Sequence, residues 1–123
     1  FLYLTNNRKL SLLAAFLTDG ATFYNWAHQG LNANTILYPI WPLICLFYLK
    51  AVEKNKAKNW LLFGLMSGLG ILGKYNSILI IFFCAIFTLY SKEGRKLLLT
   101  IKPYISLIPF IILVLPHLYF VFQ

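Results

Sequence analysis

Apolar residues in this chain come in runs, and polar residues come in short clusters between them. Five apolar segments can be drawn, over residues 10–27, 35–52, 60–73, 77–90 and 97–122. A helix that crosses a bilayer needs about 20 residues. The first, second and fifth segments approach that length, and the third and fourth are short. Pro103, Pro109 and Pro116 interrupt the fifth.

The third and fourth segments could in principle form one helix. A continuous helix over 60–90 would rise about 46 Å, against a hydrocarbon core of about 30 Å. It would also place "EKNKAKN" (53–59) and "SKEGRK" (91–96) on opposite sides. Both are basic, and short basic loops stay on the cytoplasmic side. A hairpin of two helices satisfies both constraints. The expected architecture is therefore an all-α, polytopic membrane protein with about five transmembrane segments.

Orientation follows from the same rule. "NNRK" (6–9) lies inside, the first segment runs out to "QGLNAN", and the second returns. The third and fourth go out and back, and the fifth runs out. Ten of the eleven Lys and Arg residues then lie on the cytoplasmic side, and the exception is Lys74.

Composition agrees with this picture. Of 123 residues, 60% are hydrophobic and only 11% charged, where a soluble domain carries about 25% charged residues. The formal net charge of +8 would suggest nucleic acid in a soluble chain. Here the cations sit between apolar runs, which is how orientation is encoded, so no nucleic-acid partner is expected. Cys45 and Cys84 lie inside apolar runs without CxxC spacing and read as buried thiols. The chain has no initiator methionine, opens on "FLYL" and stops at "YFVFQ". It reads as an internal piece, 1–123, of one larger transmembrane domain.

Lys74, in "LGILGKYNSILI" (69–80), follows a segment that rises only about 21 Å. The turn after it is expected to lie below the outer surface, where irregular backbone is tolerated only against protein or a wet cavity. A charge near the bilayer centre costs about 3 kcal/mol on insertion scales, so a polar cavity is expected around Lys74. Snorkelling to the outer headgroups is the competing explanation. Asp19 is the only acid outside the cytoplasmic loops. It either lines the same cavity, with Lys74 as its partner, or marks a break in the first segment at Asp19–Gly20.

"GLMSGLGILG" carries Gly64, Ser67, Gly68, Gly70 and Gly73, a small-residue face suited to close helix packing. Asn34 or Thr35 suits a helix N-cap, which leaves Asn32 as a further polar group at the outer face. His28 and His117 fall near that face with no carboxylate pair, a weak pattern for a metal. Trp26, Trp41 and Trp60 suit interfacial belts or helix packing. No GxSxG, Walker loop, HExxH or CxxC occurs, so spacing alone identifies no reaction.

Four pieces, "NANT" with "WPL", the basic loop with Trp60, "GLGILGKY" and "LPHLY" (115–119), occur together in a recognisable order. In this, residues 22–120 resemble bacterial family-39-like glycosyltransferases. These are related to protein O-mannosyltransferases, to the aminoarabinose transferase of lipid A and to rhizobial galacturonic acid transferases. The resemblance implies a GT-C fold and transfer of a sugar from a polyprenyl-phosphate donor to a lipid, glycan or protein acceptor. The reaction would take place at the periplasmic face of the inner membrane. The charge pattern and the resemblance meet at Lys74, which with Tyr75 and Asn76 is expected to bind the donor phosphate, while Asn32, Asn34, His117 and Asp19 are expected to line the cavity. The family's catalytic acid lies in the first periplasmic loop, which is expected to fall outside these residues. Where relatives carry an acid at the start of the second segment, Asn32 and Asn34 stand here. No cofactor is expected within this stretch, and a divalent metal belongs, if anywhere, to the full-length enzyme. The rival readings are a piece of a transporter or lipid flippase, whose helices are also short and charged, and a purely structural membrane subunit.

Overall fold

A computed structural model describes residues 2–20 and 33–123, with the side chains of residues 33 and 34 excepted. Every regular element among them is helical: α1 (Leu2–Thr5), α2 (Arg8–Gly20), α3 (Ala33–Lys54), α4 (Ala57–Gly73), α5 (Ser77–Tyr90), α6 (Lys92–Leu98), α7 (Lys102–Ile105) and α8 (Leu107–Val121). The chain falls into two compact units, residues 1–35 and 36–123.

In the first unit, Asn6 sits at a positive φ of 49°, a conformation that asparagine tolerates better than most residues. Its N–H closes α1 on the Leu2 carbonyl at 2.8 Å. Asn7 then caps α2, its Oδ1 accepting from the N–H groups of Lys9 (3.0 Å) and Leu10 (3.2 Å). This capping serves donors that have no partner inside the helix. Asp19 lies on the last described turn of α2 and is exposed.

The second unit is built around α4. Helix α3 runs antiparallel to it: Leu37 packs at Gly73, Ile44 at Gly70, and Ala51 at Trp60. Helix α5 runs parallel to α3, since Trp41 bonds to Ser77 and Tyr48 to Thr88. Helix α8 runs parallel to α4, with Gly64 against Ser106, Gly68 against Leu113, and Tyr75 bonded to His117. The α4–α5 pair is therefore a hairpin, as the sequence predicts.

The small-residue face of α4 packs closely, also as expected. A side chain at Gly64 would run into the backbone carbonyl of Ser106, and one at Gly68 into the Leu113 side chain. Without a β-carbon at Gly64 the α7–α8 junction at Ser106 approaches α4 at backbone distance, and Gly68 leaves room for the Leu113 side chain.

Two turns set the ends of the bundle. Asn55, at φ 42°, closes α3 by donating its N–H to the Ala51 carbonyl at 2.9 Å, a left-handed cap. Its Oδ1 accepts from Trp60 Nε1 at 3.3 Å. At the far end of α5 the chain turns by 98° into α6. Ser91 Oγ caps α6 by accepting from Gly94 N at 2.8 Å, and a β-carbon at Gly94 would collide with the Thr88 carbonyl. The bend brings Leu97 onto Ala51 and Trp60, which form a buried cluster.

The all-α membrane architecture is as expected. Among the described residues, Thr35–Lys54 and Lys102–Val121 are each long and apolar enough to cross a membrane alone, and α5 with α6 forms a third candidate if the two count as one broken span. Helices α4 and α5, at 17 and 14 residues, rise about 25 and 21 Å, short of the core thickness, as the short third and fourth segments predict. Two expectations are corrected. "SKEGRK" is mostly helix α6 and not a loop, and Cys45 is exposed, so that only Cys84 is buried. Large apolar side chains are exposed along the helices, with Phe83 65% and Ile112 66% accessible. Such surface suits lipid contact and not water.

Candidate functional site

Helix α4 ends because Lys74 leaves helical geometry (φ −165°, ψ 133°), although its N–H still reaches the Gly70 carbonyl at 3.0 Å. Lys74, Tyr75 and Asn76 form the turn, and all three are exposed. Helix α5 then starts with tight bonds: Ser77 N to Lys74 O, Ile78 N to Tyr75 O and Leu79 N to Asn76 O, at 3.0 to 3.1 Å. The first donors of α5 are thus already used by the turn itself.

Ser77 anchors this turn. It is fully buried, and its hydroxyl donates to the Gly70 carbonyl at 2.8 Å while accepting from Trp41 Nε1 at 2.9 Å. One hydroxyl therefore ties α3, α4 and α5 together directly below Lys74. Satisfied buried polar groups of this kind fix geometry, because breaking them leaves an unpaired group. The sequence reading missed Ser77. Its only signal is a small polar residue at the first position of an apolar helix.

The Tyr75 hydroxyl and His117 Nε2 share a hydrogen bond of 2.8 Å, with ring centroids 6.0 Å apart. His117 lies in α8, so this bond joins the turn to the end of the last helix. The structure thus brings Lys74, Tyr75, Asn76 and His117 to one end of the second unit. Asp19 belongs to the first unit. Asn32, His28 and Trp26 lie outside the described residues, as does the side chain of Asn34.

The negative end of α4 and the positive end of α5 meet at the same turn, and opposite helix dipoles at one place offset each other. Among the described residues of the second unit, the charged group at this end is the Lys74 ammonium, which carries three donors. Asn76 adds amide donors, and Tyr75 and His117 add a hydroxyl and a ring. Such a set can bind an anion and orient it. None of these four residues carries a carboxylate.

The other cations of the second unit lie at the opposite end. Lys50, Lys54, Lys56 and Lys58 line one cleft between α3 and α4. Lys92, Arg95 and Lys96 are on α6, which docks through Leu97 on Trp60. Lys102 opens α7, which is held to α6 by Tyr104 Oη donating to the Leu98 carbonyl at 3.0 Å. Among the described residues, no group of three or more His, Cys, Asp or Glu side chains could hold a metal ion.

Residues 1–120 match the family of dolichyl-phosphate-mannose-protein mannosyltransferases. The chain belongs to this family. Membership indicates a membrane glycosyltransferase of the GT-C type, a family that implies a lipid-linked sugar donor and an acceptor. Family membership sets aside the transporter and purely structural readings. No curated protein and no solved structure matches the chain.

Proposed function

We propose that the protein moves a sugar from a polyprenyl-phosphate donor to a lipid, glycan or protein acceptor at the periplasmic face of a bacterial inner membrane. Residues 1–123 form part of one multi-pass transmembrane domain, and Lys74 binds the donor phosphate. The observation that carries this reading is the placement of Lys74. It is the one cation of residues 36–123 at its end of the bundle, next to Tyr75, Asn76 and His117.

The chemistry is consistent. A donor phosphate sits at headgroup level and carries negative charge, and a lysine binds phosphate as a point charge. Helix α4 carries Lys74 about 25 Å from the basic end, a little short of a core of about 30 Å, so Lys74 lies just below the outer headgroups, where a recessed cavity brings it to the donor phosphate. With Lys74 outside, the eight remaining cations of this unit fall inside, as short basic segments do. Asn76 and the Tyr75–His117 pair complete hydrogen bonds to the phosphate oxygens. Transfer also needs a base to activate the acceptor hydroxyl, and a carboxylate from elsewhere in the full-length protein supplies it.

The test is sugar transfer by the full-length protein in membranes, offered a panel of polyprenyl-phosphate sugars and, separately, nucleotide sugars. Consumption of one lipid-linked donor with a glycosylated product is expected. Transfer from nucleotide sugars alone would contradict the proposal.

A further inference from the structure

The four lysines between α3 and α4 do more than the orientation rule requires. Lys50 and Lys54 are one turn apart on α3, and the short connection through Asn55 brings Lys56 and Lys58 to the same place. All four line a single cleft of about 360 Å³, together with Phe47, Asn59 and Leu62. That volume is within the range of small-ligand pockets, about 300–1,000 Å³.

Like charges spaced i, i+4 on a helix repel, and four cations around one cleft repel more. The orientation rule needs only a cytoplasmic excess of Lys and Arg, which scattered residues would meet equally well. The local structure holds the charges together instead. Lys50 Nζ lies 5.9 Å from the centre of the Phe47 ring, a cation–π distance. Asn59 Nδ2 donates to the Lys50 carbonyl at 2.9 Å and clamps the start of α4 onto α3. Helix α4 opens at Lys56 with no side-chain cap, so its positive end adds to the same field.

We infer that this cleft is a binding site for the headgroup of an anionic phospholipid in the leaflet at the basic end. The amphiphilic lining selects a lipid over a soluble anion. The lysines form a cationic rim, while Phe47 and Leu62 lie deeper along their helices and offer an apolar floor to the first carbons of the acyl chains. Basic pockets between transmembrane helices on this side are suited to anionic headgroups. The inference is independent of the sugar-transfer reaction at the Lys74 end.

The test is native mass spectrometry of the detergent-solubilised full-length protein titrated with phosphatidylglycerol or phosphatidylcholine. The wild type is expected to retain one phosphatidylglycerol and to discriminate against phosphatidylcholine. Lys56→Gln with Lys58→Gln is expected to weaken phosphatidylglycerol retention about tenfold or more, and it leaves six cations at this end to preserve orientation. Lys92→Gln with Lys96→Gln removes the same charge outside the cleft and is expected to leave retention unchanged. Equal weakening by both double variants would reduce the effect to diffuse attraction and overturn the site. So would displacement of the lipid by millimolar inorganic phosphate, which would reassign the cleft to a soluble anion.

Discussion

Lys74→Ala in the full-length enzyme is expected to weaken affinity for the polyprenyl-phosphate donor about ten- to a hundredfold. A hydrogen bond to a charged group contributes about 1.5–3 kcal/mol, and each 1.4 kcal/mol is a factor of ten. The loss should appear in donor binding and leave acceptor KM unchanged, because the proposed contact of the ammonium is with the donor phosphate and not with the acceptor. Folding should be nearly unaffected, since Lys74 is exposed at a turn that Ser77 and Trp41 hold from below. Lys74→Arg should recover most of the affinity, as the charge is retained. Donor titration of the three proteins, with thermal stability measured alongside, checks this. Unchanged donor affinity in the alanine variant would remove Lys74 from the site.

The largest effect on folding is expected at Gly64. Alanine in place of glycine gains up to about 1 kcal/mol in helix propensity, but here the added carbon meets the Ser106 carbonyl. Overpacking costs about 1–3 kcal/mol, and a backbone atom cannot turn aside as a side chain can. The collision therefore wins. Gly64→Ala should lower Tm in detergent, and Gly64→Leu should leave little folded protein. Ser67→Ala is the control on the same face. Ser67 is buried and its hydroxyl has no hydrogen-bond partner among the described residues, so its removal should cost little. Equal tolerance of all three substitutions would show that α4 does not rest on Ser106.

The parts of the fold that were legible in the sequence are those governed by burial. The fourth segment was read at 77–90, which is where α5 runs, and the third was read to end at residue 73, where α4 ends. Both boundaries fall where an apolar run meets polar turn residues, and membrane helices obey that contrast closely. The start of α4 was placed three residues late. Ala57, Lys58 and Asn59 continue the helix into its interfacial turn, where polar side chains are tolerated and the apolar signal stops. Helix α6 is not legible for a related reason: its first five residues, Lys92 to Lys96, carry no apolar side chain and look like a loop, and its stability comes from the Ser91 cap and from Leu97 docking on Trp60. In the last segment the break falls at Ser106 and not at Pro109, because a proline fits the first turn of a helix, where its missing N–H has no role.

The candidate site was legible only in part. Lys74 could be found because it violates the charge pattern that every other cation follows. Tyr75 and His117 are 42 positions apart, and nothing in one sequence pairs them. The lysine cleft was read only as an orientation signal, because its enclosure depends on the turn at Asn55 and on the clamp from Asn59. No pattern in the chain encodes those contacts.

Membrane-impermeant thiol labelling in intact cells tests the placement of Lys74 most directly. The background carries Cys45→Ala and Cys84→Ala, and Lys74→Cys and Lys58→Cys are compared within it. Labelling at 74 from outside, with labelling at 58 only after the cells are opened, is the expected result. Labelling at 58 from outside, with 74 protected until lysis, would reverse the orientation and contradict donor binding at Lys74.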